Sequence, residues 1–239
     1  QGAFGLVGKP PPCMLVMVCG WGNLRRPEKV LGMGATKAAS PAWFLGAGDR
    51  AHLRQAEHIV LPGVGAFGDC AAGLRAIDGM VEALTERVLK DAKPFLGICV
   101  GMQLMCQTGV ERARDGQPYQ GLGWFDAEVR DLSVPAPLKV PHMGWNEINA
   151  RILDKDGATK NSADKVIAPL HGQDVYFVHG FAAQALSEEG AQDIAAVTDY
   201  GGPVTAIMAR DNYIGVQFHP EKSQAAGLAF IQRFLEWRA

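Results

Sequence analysis

The stretch Gly97-Ile98-Cys99-Val100-Gly101 sets one thiol between small residues, after the apolar run ending Phe95-Leu96-Gly97 and before Met102-Gln103-Leu104-Met105. A buried strand over 94–98 followed by a helix over 100–107 makes a sharp elbow with Cys99 at its apex. Glycines on both sides clear the space such a turn needs. Free amides and the dipole at a helix start favour thiolate over thiol, which suits attack on an acyl carbon. That chemistry also needs a base and donors for the oxyanion. The strand Gly215-Val216-Gln217-Phe218 runs into His219-Pro220-Glu221. Residues i and i+2 of an extended chain point the same way, so Glu221 can accept the His219 ring N–H and fix its tautomer. Pro62-Gly63-Val64-Gly65 is flexible enough to turn an amide toward a neighbouring site. Val64 N–H and Val100 N–H would then form an oxyanion hole. Gln103 lies one helical turn beyond Cys99, where its amide could hold a polar end of the substrate.

Each of these has an ordinary structural reading when taken singly. Cys99 could be a core thiol, His-Pro-Glu a solvated turn, and Gly63-Val64-Gly65 a plain connection. All three fall at the carboxyl ends of apolar strands, where sites form in parallel α/β sheets. The remaining histidines (His52, His58, His142, His171, His179) and cysteines (Cys13, Cys19, Cys70, Cys106) read, by themselves, as surface or core residues.

The elements that must position this set alternate along the chain. Residues 14–18 and 58–61 are apolar runs of strand length, with a helix expected from about 26 to 32 or 34. Leu74, Ile77, Val81, Leu84 and Val88 recur every three or four residues, as in an amphipathic helix. Alternation of strand and helix indicates a parallel sheet covered by helices. Residues 124–150 contain two strand-like pieces around Val134-Pro135-Ala136-Pro137, and 151–172 reads as a variable surface loop. Strands at 175–178 and 193–197 precede a hairpin of 204–209 and 213–218 turning at 210–212. A closing helix from about Ser223 would bury Leu228, Ile231 and Leu235. We expect one α/β domain over 13–239, preceded by a loose extension at 1–12.

Composition narrows the function classes. The chain has 239 residues, is 48% hydrophobic and 20% charged, and has a formal net charge of −2. This is an ordinary globular balance, with no electrostatic call for nucleic acid or a membrane surface. Five dispersed cysteines without a CxxC pair argue against a disulfide framework or a zinc site and for a reducing, cytoplasmic compartment. No apolar run approaches a membrane span, and the first dozen residues lack the marks of a signal peptide.

Pro-Gly-Val-Gly, Gly-Ile-Cys-Val-Gly-Met-Gln and Gln-Phe-His-Pro-Glu, in this order and spacing, resemble the class I (triad) glutamine amidotransferases. Gly22-Asn23-Leu24-Arg25, Pro141-His142-Met143-Gly144-Trp145-Asn146 and Tyr176-Phe177-Val178-His179 narrow the resemblance to the glutaminase subunits of imidazole glycerol phosphate synthase. It runs from about Met14 to the C-terminus.

The resemblance implies a flavodoxin-like three-layer α/β sandwich, its mostly parallel central sheet joined by antiparallel strands in the C-terminal half. It implies Cys99, His219 and Glu221 as the triad, Gly63, Val64 and Gly65 as the oxyanion strand, and Gln103 as a contact to glutamine. His179, Gly180 and Phe181 would lie near that substrate. Residues Pro141 to Asn146 and Lys222 would face a (βα)8-barrel cyclase in a heterodimer, and neither metal nor organic cofactor is called for. Two departures stand out. Val18-Cys19-Gly20 replaces the usual Asp-Tyr-Gly, and Gly180-Phe181 follows His179 in place of Ser or Thr and then Tyr. The alternatives are the glutaminase subunit of another triad amidotransferase, a regulatory subunit without chemistry, or a stand-alone cysteine hydrolase.

Overall fold

The computed structural model describes residues 16–19, 42–45, 53, 54, 56–114, 116–151 and 162–238. The extension at 1–12, the helix expected near 26–34, Cys13, His52 and residues 152–161 of the 151–172 segment lie outside them.

Strands β1 (Val16–Cys19), β2 (Ala42–Leu45), β3 (His58–Gly63) and β4 (Phe95–Cys99) belong to the main sheet. Next come β5 (Cys106–Arg114), β6 (Gln117–Gln120), β7 (Phe125–Asp131), β8 (His142–Glu147) and β9 (Asn149–Ala150). The last are β10 (Asp174–His179), β11 (Phe181–Ala185), β12 (Ile194–Asp199), β13 (Pro203–Arg210) and β14 (Tyr213–Val216). The main sheet has the order β2-β1-β3-β4-β14-β13-β12-β9. Its parallel ladders are the central ones, β3 with β4 and β4 with β14, and the ladders outside them are antiparallel. A second sheet runs β11-β7-β5-β6, and β10 pairs with β8 alone.

The centre of the main sheet is where the chain is most apolar. Every residue of β4 is buried, as expected of a strand covered on both faces. Helices α1 (Phe67–Arg75), α2 (Met80–Thr85), α3 (Val100–Gln103), α4 (Asp164–Ile167), α5 (Glu188–Gln192) and α6 (Gln224–Glu236) complete the fold. On α6 the buried stripe is Gly227, Phe230, Ile231, Phe234 and Leu235, with Leu228 only half-buried. Each of the four large side chains contributes about 1.5–3 kcal/mol by leaving water. Phe95, Phe125, Phe177 and Phe218 join Phe230 and Phe234 in one continuous core. No helix among the described residues is long and apolar enough to cross a membrane.

Three expectations need correction. The periodic run from Leu74 to Val88 is two α-helices closed by a π-helical turn at Glu86–Lys90. Gly79, at φ 64°, breaks it, a conformation that glycine adopts without steric cost. The helix expected over 100–107 ends at Gln103. Cys106 already belongs to β5, which must leave the elbow to pair with β6 and β7. Residues 162–170 are not a surface loop: Val166, Ile167 and Leu170 are buried, and α4 packs on α6. The strand β2 was not anticipated.

Candidate active site

Three parallel strands end together. Gly63 at the end of β3 pairs with Cys99 at the end of β4, and Val216 at the end of β14 pairs with Ile98. The oxyanion loop, the thiol and the Gln217-to-Glu221 segment therefore leave the sheet side by side.

The elbow depends on missing side chains. A Cβ on Gly97 would stand 2.6 Å from Met105 Sδ and 2.8 Å from Gly101 O, and one on Gly101 would stand 1.7 Å from Leu61 O. Strand β3 can approach α3 this closely because there is no side chain between them. Cys99 has φ 53° and ψ −114°, a strained conformation for a residue bearing Cβ. Such strain concentrates at nucleophile elbows, where it projects the reactive atom from the turn.

His219 meets this thiol. Its Nδ1 lies 2.7 Å from Glu221 Oε1, and it lines the same cavity as Cys99. Burial alone would lower its pKa; the hydrogen bonds and charges of Cys99 and Glu221 outweigh burial and push it up to about 9. At neutral pH the ring is an imidazolium. The turn itself is pinned: His219 N donates to Tyr176 O at 2.9 Å, and Ser223 Oγ donates to His219 O at 2.6 Å.

These groups border a cavity of about 330 Å³ lined by Val64, Gly65, Cys99, Val100, Gln103, Glu111, Pro141, Val178, His179, Gly180, Phe181, His219 and Lys222. It thus gathers the expected triad nucleophile and base, the oxyanion loop, Gln103, the 179–181 segment and Lys222. Gly65 holds φ 111°, a conformation open to glycine. Gln103 keeps less freedom than expected. Its amide nitrogen donates to Phe181 O at 3.2 Å and to Gln217 Oε1 at 3.0 Å, so only its oxygen remains for a ligand.

The 141–146 segment divides by strand parity. Met143 and Trp145 are 60% and 47% exposed, and Pro141 is exposed beside them. His142 is corrected as an interface residue: it is 2% exposed, stacked between Phe177 and Tyr200. Gly144 and Asn146 share its side of β8 and are half-buried, and the Asn146 amide donates inward to Asp199 O at 2.7 Å. Leu138 and Val140 extend the exposed apolar surface. Lys222 Nζ sits 5.9 Å over the Tyr176 ring, whose other neighbour is Trp145.

Sequence reasoning missed Glu111 and Gln217. Glu111 accepts from Phe67 N at 2.8 Å, capping α1, while also lining the cavity. Gln217 was in view within Gln-Phe-His-Pro-Glu, two residues before His219 and so on the same side of the strand. Cys70 and Cys106 are buried thiols, burial pushing Cys106 up to about 12, and His58 is buried with Nε2 2.9 Å from Trp237 O. His171 accepts from Ala150 N. Among the described residues no three His, Cys, Asp or Glu side chains are grouped to hold a metal ion.

Comparison with known proteins places this geometry. The family model "Glutamine amidotransferase class-I" matches residues 49–236. The chain is 46% identical over 221 residues to the imidazole glycerol phosphate synthase subunit HisH of Brucella melitensis, covering 92% of this chain and 96% of that one. The HisH subunit of Mesorhizobium japonicum is 45% identical over 220 residues, with the same coverage. That of Rhodospirillum rubrum is 46% identical over 219 residues, covering 91% and 95%. Among solved structures, a glutamine amidotransferase superposes with TM-score 0.56 at 16% identity, covering 88% of this chain and 89% of its own. The glutaminase domain of Trypanosoma brucei CTPS superposes with TM-score 0.51 at 16% identity, covering 80% and 75%. These two bear on the fold alone, which is flavodoxin-like. On a family match over most of its length and relatives near 45% identity, the chain belongs to the class-I glutamine amidotransferases, in the branch of the HisH subunits of imidazole glycerol phosphate synthase.

Proposed function

We propose that this chain hydrolyses glutamine to glutamate and ammonia and delivers the ammonia to a (βα)8-barrel cyclase, as the glutaminase subunit of imidazole glycerol phosphate synthase in histidine biosynthesis. The observation that carries this reading is a strained thiol at a helix start that shares a cavity with a histidine held by Glu221 at 2.7 Å. The raised pKa of His219 supports an imidazolium able to give a proton to the leaving nitrogen.

Cys99 Sγ attacks the carboxamide carbon, and the carbonyl π electrons move to oxygen. Val64 and Val100 amides stabilise that oxyanion. His219 gives its proton to the nitrogen, the C–N bond breaks, and ammonia leaves a γ-glutamyl thioester. Neutral His219 then takes a proton from water as the hydroxide adds. Collapse expels the thiolate, giving glutamate and restoring the pair. Glu221 keeps the ring in its tautomer throughout. Glu111 and the free Gln103 oxygen are suited to the α-ammonium of glutamine.

Pro141 and Lys222 line the cavity, and the exposed Leu138, Val140, Met143 and Trp145 are suited to burial against the cyclase. A cytoplasmic location accords with three buried free thiols among the described cysteines. Residues 13–239 are best taken as one domain behind the 1–12 extension.

Glycines on both sides of Val64 let its peptide turn at low steric cost, so we expect the oxyanion hole to be completed by partner docking. Glutamate production at saturating glutamine tests this. The chain alone should be slow, and liganded cyclase should raise the rate about 100- to 1000-fold, the worth of one oxyanion donor. Cys99→Ala should abolish glutamate production while ammonia-driven synthesis by the complex persists. Equal rates with and without liganded cyclase would favour a stand-alone hydrolase.

A further inference from the structure

The hydrolytic scheme leaves Gln217 without a task, although it is fully buried beside the nucleophile. It follows Val216, which pairs with Ile98, so it stands level with Cys99. Its Nε2 lies 3.7 Å from Cys99 Sγ, and its Oε1 lies 3.0 Å from Gln103 Nε2.

Which end of each amide faces which neighbour is decided by a backbone carbonyl. Phe181 O can only accept, and it lies 3.2 Å from Gln103 Nε2 and 2.9 Å from His179 Nδ1. Gln103 must therefore present its NH2 there. Its second hydrogen reaches Gln217 Oε1, which turns the Gln217 NH2 onto the sulfur. Flipping Gln217 would set two NH2 groups against each other and an oxygen against Cys99. Each buried group left unpaired costs about 1–3 kcal/mol.

The same carbonyl fixes a second chain. With Nδ1–H of His179 engaged, its Nε2 accepts from His142 Nδ1 at 3.1 Å, and His142 Nε2 faces Asn146 Nδ2 at 3.4 Å. Burial lowers both histidines to about 4, which keeps this tautomer chain neutral. One acceptor thus orients both a path to the nucleophile and a path to Asn146 on β8.

We propose that Gln217 is a catalytic residue of this site: its side-chain N–H donates to the Cys99 sulfur and favours the thiolate, and the Phe181 carbonyl holds it in that orientation through Gln103. The bond is strongest while the sulfur is charged, before attack and again when the thioester collapses. The inference rests on Cys99 being the nucleophile. The other ionisable groups facing the sulfur are His219, backed by Glu221, and the cavity residues His179, Glu111 and Lys222, all unchanged in the test.

The test is the pH profile of Cys99 alkylation by iodoacetamide in the full chain, read on the Cys99 peptide by mass spectrometry. Gln217→Met removes the donor at similar volume. Its alkylation midpoint should rise by about 1 pH unit, as expected for one hydrogen bond to a charged group. Gln103→Met removes the anchor and should shift the midpoint the same way by less; it carries the test if Gln217→Met does not fold. An unmoved midpoint in a folded variant would reduce Gln217 to a packing residue and overturn the proposal. If the chain were not a glutaminase, wild-type glutamate production would be absent even with liganded cyclase present, while the alkylation shift persisted. If only this inference failed, glutamate would form and the profile would stay fixed.

Discussion

A Cβ on Gly101 at the elbow would lie 1.7 Å from Leu61 O, whereas one on Gly144 in β8 would meet nothing within 4 Å. The first region is closed around a strained residue, with β3, β4 and β14 ending in register beside it. The second is an isolated two-stranded sheet whose outward residues, Met143 and Trp145, face open space. Yet the two are joined, because Tyr176 of β10 accepts from His219 N and His142 of β8 bonds His179 in the cavity wall. The two regions divide the labour. The proposed chemistry sits where the chain constrains itself and the proposed partner surface where it leaves apolar residues uncovered, with the inner face of the same strand reaching back to the site.

Damage to the elbow region should have the largest consequence. His219→Ala should lower glutamine turnover by about 10⁴-fold or more. Glu221→Gln should cost less, about 10²-fold, because the amide can still hold the ring but supports its charge poorly. Glutamate assays at saturating glutamine measure both. Full activity in Glu221→Gln would reduce the triad to a Cys–His pair.

The exposed side of β8 should respond differently. Trp145→Ala and Met143→Ala should each weaken cyclase binding by about 2 kcal/mol, roughly 30-fold in Kd. Their unfolding free energies should stay within about 0.5 kcal/mol of the parent. Titration calorimetry and urea melts separate the two effects. A loss of stability without loss of affinity would mean that these side chains serve the fold.

The remaining effect is the pH dependence of stability, where the two regions should pull in opposite directions. Burial holds His142 and His179 at about 4, below the ordinary 6.5. The unfolded chain therefore takes up their protons first, and this contribution fades as pH falls from 6.5 to 4. His219, raised to about 9 despite burial, contributes fully below 6.5 and loses that contribution as pH rises through 9. Urea midpoints should peak near pH 6.5 and fall on both sides. A midpoint still climbing at pH 9 would contradict the paired His219.

Cys99, His219 and Glu221 were legible because their relations are local: an elbow between glycines, and an i, i+2 step at a strand end. The paired strand ends of β3, β4 and β14 followed from the same apolar runs. What escaped reading depends on distant partners. The inward side of β8 is set by pairing with β10, so nothing in Pro141 to Asn146 alone tells His142 from Met143. Glu111 reaches the cavity only because β5 replaces the rest of the expected helix. The direction of the Gln103 and Gln217 amides is decided by Phe181 O, which no motif displays. Val166, Ile167 and Leu170 carried an apolar signal, outweighed by the polar residues before them.

Covalent labelling of the full chain with an electrophilic analogue of glutamine, followed by peptide mass spectrometry, tests Cys99 as the nucleophile. A single adduct on the Cys99 peptide, formed more slowly when glutamine is present, is the expected result. An adduct at Cys19, Cys70 or Cys106 with Cys99 unmodified would contradict it.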